Sequence, residues 1–167
     1  MSTPGSLKDI YADEIKDLWS ANDQMARAVK AMAGRVHDTK LKQMLESSHE
    51  GINKHAETLK GLLEKADEEV KPEKCQGMAG LASEAEKHTS KEAPKDGELL
   101  DIVVLSQYQR MCHYGISGFG TAATYAKALG RKEDEQALKS IVADIYKADD
   151  YASKLAEKSE KAVAKAA

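Results

Sequence analysis

Cysteine is nearly absent from this chain, with only Cys75 and Cys112 among 167 residues. Two thiols are too few for a disulfide framework, and both are read as reduced. No Cys-x-x-Cys or His-x-x-x-His pair occurs, so the usual signature of a preorganised zinc site is missing. No uninterrupted apolar run approaches the roughly 18 residues needed to cross a bilayer. The opening residues, Met1 to Ser6, show no basic stretch leading into an apolar one. A cytoplasmic protein without a membrane partner is therefore expected. Neither charge sign dominates: 25 basic residues face 28 acidic ones, interspersed along the chain. No segment builds a basic stripe able to neutralise many phosphates, so nucleic acid is not an expected partner. Alternation of β-branched residues between turn signals is also lacking, which leaves no reading as a strand.

The sequence is rich in helical periodicity. After a Ser6 N-cap, Tyr11, Ile15, Leu18, Asn22, Met25, Val29 and Met32 recur at alternating steps of four and three, a sustained heptad stripe with one polar member. Gly34 is expected to end this helix. Asp38 or Thr39 caps a second, whose stripe includes Leu41, Leu45, Ile52, His55, Leu59 and Leu63 and which ends near Lys65 before a charged turn around Pro72. A short helix from Cys75 to about His88 is followed by a polar crossover loop, Thr89 to Gly97. The third long helix runs from Asp96 to Leu129 and is stopped at Gly130. The fourth starts near Glu133, carries Leu138, Ile141, Ile145, Ala148, Asp149 and Ala152 on one stripe, and is expected to fray over its last ten or so residues.

Four amphipathic helices, with a short connection inside each half and a long one between, specify an all-α fold. The expectation is a single domain over residues 1–167, a ferritin-like antiparallel four-helix bundle whose crossover between helices two and three carries a short extra helix. Helix three holds an oddity mid-stripe. Gly115, Gly118 and Gly120 each cost about 1 kcal/mol relative to Ala in a helix interior, so a neighbour has to pack closely there.

The segments Lys74-Cys75-Gln76-Gly77-Met78-Ala79-Gly80-Leu81, His113-Tyr114, Gly120-Thr121 and Ala128-Leu129-Gly130, at their mutual spacing, resemble the YciE/YciF family of ferritin-like bacterial stress proteins. The resemblance runs ungapped from about Leu7 to Leu155. It implies a homodimer-forming bundle related to carboxylate-bridged di-metal proteins, and the glycine-lined face of helix three, Gly115 and Gly118, is where another backbone or a bulky aromatic could approach.

This chain departs from the family pattern at the ligands. Where the family carries Glu, it has Asn22, Cys112, Gly115 and an Ala143-Asp144-Ile145 run, keeping only Asp149. A di-iron site needs about four carboxylates and two histidines in a dry core. At 100° per residue the replaced positions lie on the apolar stripes, and Ile52-x-x-His55 takes the register of a Glu-x-x-His pair. Glu50 points nearly opposite and reads as a solvated side chain; as a ligand it would need about half a turn of helix rotation.

Asn22, His55, Cys112 and Asp149 remain as inward polar groups. They form either a remodelled mononuclear site for zinc, iron or another divalent metal, to which Glu50 is the further candidate, or a set of core residues hydrogen-bonded across the bundle, as a core Asn does when it fixes register. The second reading is favoured, with Cys112 an inert core thiol and His49, His88 and His113 on the surface. No cofactor is then expected. The corresponding function is a non-catalytic, stress-associated bundle with a degenerate di-metal site, acting through dimerisation or partner binding. The alternative is a metal-binding protein of ferroxidase or peroxide-scavenging type.

Overall fold

A computed structural model describes residues 3–66 and 74–166. It contains α1 (Leu7–Ala33), α2 (Thr39–Lys65), α3 (Gln76–Glu86), α4 (Gly97–Ala128) and α5 (Lys132–Ala166), and no strand among the described residues. The charged turn around Pro72 lies outside the described residues. Local chemistry sets the helix starts. Ser6 Oγ accepts from Asp9 N–H at 3.2 Å, Asp38 Oδ1 from Leu41 N–H at 2.8 Å, and Asp96 Oδ1 from Glu98 and Leu99 N–H at 2.9 and 3.0 Å. Each bond satisfies donors that a helix start leaves unpaired. Gly130 stops α4 with φ +72°, while its own N–H reaches Lys127 O at 3.1 Å and Arg131 N–H reaches Ala126 O at 2.9 Å, the paired bonds of a Schellman ending.

One local expectation is corrected. Thr89 to Lys91 is not loop: a single π-helical turn over Lys87–Lys91 prolongs α3, with Thr89 Oγ1 donating to Ala85 O at 2.7 Å and Arg35 donating to Thr89 Oγ1 at 3.1 Å. α5 runs on to Ala166; its last turns are rich in alanine, lysine and glutamate, which favour helix, and Glu157 pairs with Lys161 one turn on. Gly34 ends α1 as expected, in the right-handed region at φ −76°. The turn after it is held by Asp101 of α4, a buried carboxylate that accepts from His37 N–H at 2.9 Å and Asp38 N–H at 2.8 Å.

The helices form an antiparallel four-helix bundle. α1 packs along α2 and α4 along α5, α1 meets α4, and α3 crosses α1 and α4, whereas α2 and α5 touch over only a short stretch. Two buried clusters fill the interior, one around Val29, Leu45, Val104 and Met111, the other around Ile15, Leu18, Leu59 and Phe119, and Ile145 touches both.

The helix-three glycines are filled from inside the chain. A Cβ on Gly118 would lie 2.6 Å from Leu18 Cδ2, and one on Gly115 would lie 3.2 Å from Ile145 Cδ1. The face expected to admit a second copy is therefore occupied by α1 and α5, and a dimer has to use another surface. Gly120 meets nothing within 4 Å. The glycines of α4 should thus respond oppositely to substitution: Gly120→Ala stabilises by about 0.5–1 kcal/mol, while Gly118→Leu destabilises by about 1–3 kcal/mol through overpacking against Leu18. Urea titrations of the two variants beside the parent check both signs.

Candidate functional site

Between the two core clusters lies a polar waist. Because α2 and α5 splay apart, a cavity of about 860 Å³ opens between them and reaches inward to α1 and α4. Asn22, His55 and Cys112 all line it; Asp149 and Glu50 do not.

The Asn22 amide turns back on its own helix, Nδ2 donating to Leu18 O at 2.9 Å. His55 Nε2 lies 3.7 Å from Asp144 Oδ2 across the gap between α2 and α5, and its ring meets Phe119 edge-on at 6.2 Å between centroids. Burial pushes His55 below the usual imidazole range, with the Asp144 carboxylate opposing the shift. Cys112 is buried and its thiol is pushed up to about 12, chiefly by desolvation, with the Tyr108 hydroxyl opposing and Asp149 adding to the rise. Tyr108 in turn shares a 2.8 Å hydrogen bond with Ser48 of α2.

Asp149 sits half-buried on the seam of α4 and α5 away from the cavity. It accepts from Gln109 Nε2 at 3.2 Å and pairs with His113 Nε2 at 3.0 Å. His113 is on the surface as expected, its side chain 64% exposed, yet it is the imidazole this carboxylate meets. Glu50 is exposed. Among the described residues no three His, Cys, Asp or Glu side chains converge. Gly115 and Ile145, at two of the replaced glutamate positions, fill each other's space.

Sequence reasoning missed Asp144 and Gln109, which lie off the apolar stripes and matter only once α5 is docked. A second polar cluster was missed for the same reason. Tyr114 Oη donates to Asp17 Oδ2 at 3.1 Å and lies 2.9 Å from Cys75 Sγ, which also donates to Asp17 at 3.2 Å. Ser20 Oγ accepts from Cys75 N–H at 3.0 Å and Gln24 Nε2 donates to Cys75 O at 3.0 Å. Gly77 makes room for the Tyr114 ring, since a Cβ there would lie 2.6 Å from it. The signal for this cluster was the Lys74–Leu81 motif itself. Its cysteine caps α3, Sγ accepting from Met78 N–H at 3.4 Å, and its first glycine seats the aromatic of His113-Tyr114.

Residues 6–166 match the model of a family described as a domain of unknown function, DUF892. The chain belongs to this family. Within it, the chain is 28% identical over 145 residues to protein YciF of Escherichia coli K12, covering 82% of each. The crystal structure of the E. coli stress protein YciF superposes with a TM-score of 0.87 at 25% identity, covering 95% of this chain and 99% of that one. YcfI, described as a putative structural protein of Rhodopseudomonas palustris, shares the fold of this chain with a TM-score of 0.85 at 23% identity, over 92% and 97% of the two chains. The motif resemblance and the all-α helical bundle are thus both confirmed. Among the described residues no helix is long and apolar enough to cross a membrane.

Two outcomes follow from the environments at the waist. The folded-state pKa of His55 is depressed, so the unfolded chain takes up the proton first. Its contribution to stability is present above the ordinary value of 6.5 and is lost as the pH falls from there toward the folded-state value. The urea midpoint should fall between about pH 7 and about pH 5, and fall less in His55→Gln. Burial also raises the Cys75 thiol, so neither cysteine should react with a disulfide reagent at neutral pH until denaturant is added; absorbance at the released thiolate reads this directly.

Proposed function

We propose that this protein is a non-catalytic, stress-associated member of its family, acting through dimerisation or partner binding in the cytoplasm, with a degenerate di-metal site at its waist. The observation that carries this reading is what fills the ligand positions. One amide bonded to its own helix, one protonated thiol and a glycine packed against an isoleucine stand where inward acids would be needed. Two divalent ions bring four positive charges into a low-dielectric interior, and each uncompensated charge costs several kcal/mol even after relaxation. Asp144, with its side chain 54% exposed, and Asp149, bound on the far seam, do not supply that compensation. The donor set does not fit a di-metal centre, which disfavours the ferroxidase or peroxide-scavenging alternative.

The stress association is supported by the relative's description as a stress protein. For dimerisation or partner binding, the exposed large apolar groups are Leu7 and Ile10 on α1, Leu99 on α4, and Tyr146 and Tyr151 on α5. These are available where the α4 glycines are not.

Elemental analysis after a mild chelator wash should find iron far below stoichiometric, with Fe(II) oxidation at background. Asn22→Glu, Cys112→Glu, Gly115→Glu and Ile145→Glu combined should raise iron binding and lower the melting temperature, since buried carboxylates destabilise the metal-free fold. Retention of about two irons per chain by the parent, with rapid Fe(II) oxidation, would overturn the proposal. Sedimentation at micromolar concentration tests the dimer.

A further inference from the structure

The cavity between α2 and α5 is unexplained by a non-catalytic bundle, which has every energetic reason to close it. Its size falls in the range of small-molecule sites, and its wall has their composition: mostly apolar, with a few polar groups. Four of the six methionines, Met25, Met44, Met78 and Met111, line it. Methionine side chains repack easily, so the wall suits a flexible chain better than a rigid ring system.

Shape then narrows the occupant. The His55 to Asp144 pair, 3.7 Å apart, bridges α2 and α5 across the opening. A helix from a second copy or another protein is about 10–12 Å across with side chains and cannot lie along the groove without breaking that bridge. A single alkyl chain can pass beside it.

Charge narrows it further. Lys54 and Lys147 line the cavity next to this bridge. Lys54 makes no ion pair among the described residues, and the Lys147 Nζ has only Asp144 Oδ1 at 3.6 Å. Two cations against one carboxylate leave the mouth with net positive charge beside an apolar interior. Such a site is complementary to an anion carrying a hydrocarbon tail.

We propose that the α2–α5 cavity binds a free long-chain fatty carboxylate, its tail along the methionine-lined wall and its carboxylate between Lys54 and Lys147. The inference goes beyond the proposed function and does not depend on it, since it needs neither a metal nor a dimer.

The test uses the full chain and isothermal titration with laurate below its micelle concentration, alongside lauryl alcohol. Gly51 lines the cavity on α2, and a Cβ there meets nothing within 4 Å; Gly51→Leu should fill the opening while improving helix propensity. Laurate should bind saturably to the parent, and at least about tenfold more weakly to Gly51→Leu, which melts at or above the parent temperature. Lys54→Gln with Lys147→Gln should weaken laurate about tenfold and leave the alcohol unchanged. Absence of saturable laurate binding, equal binding by parent and Gly51→Leu, or equal loss of laurate and alcohol in the lysine variant would each overturn the proposal. So would a parent dimer that Gly51→Leu converts to monomer in sedimentation with no laurate bound, since the opening would then be an interface between copies. Loss of iron-binding capacity, or its gain, leaves these outcomes untouched, so the two readings fail separately.

Discussion

The spacing of the bundle is set by two close approaches to α4, Leu18 into the gap left by Gly118 and Ile145 against Gly115. Each puts a branched side chain where a Cβ would otherwise stand, so α1 and α5 are drawn onto α4 by packing that any larger residue would disturb. α2 has no such anchor on α5. Gly51 and Gly61 on α2 face open space, and the two helices meet only briefly. The cavity is the geometric remainder of that asymmetry: three helices are pulled together and the fourth is held mainly through its hairpin with α1.

The same approaches decide the chemistry of the waist. Once Ile145 fills the space beside Gly115, neither position can present an oxygen to the interior, and Asn22 finds its nearest acceptor in its own helix at Leu18 O. Cys112 remains a neutral thiol because burial disfavours its charged form. What survives of polarity is pushed outward, to His55 with Asp144 on one side and His113 with Asp149 on the other. The two imidazole–carboxylate pairs sit on opposite seams of α5 instead of sharing one centre.

Much of the fold was legible because each long helix repeats one apolar stripe between strong stops, and the observed bounds of α1, α2 and α4 fall within a residue of those stops. The site was less legible. Periodicity places a residue on a face but does not say which neighbour that face meets. Asp149 lies on the α5 stripe, yet the stripe is broad enough that its edge meets Gln109 and His113. Asp144 lies off the stripe and still reaches His55 because the helices diverge there. The π-helical turn at Lys87–Lys91 had no signature in composition, since polar residues beside Pro94 read equally as loop.

Asp101 gives the chain an order of assembly. The hairpin between α1 and α2 is local in sequence, but two backbone donors in its turn, at His37 and Asp38, are satisfied by a carboxylate more than 60 residues downstream, at separations of 64 and 63. The hairpin is therefore unfinished until α4 arrives, and α4 brings with it Gly118, the seat of Leu18. On a ribosome the first half of this chain would emerge as two helices without a completed corner. The bundle becomes a cooperative unit only when the middle of the sequence closes a corner made by its beginning.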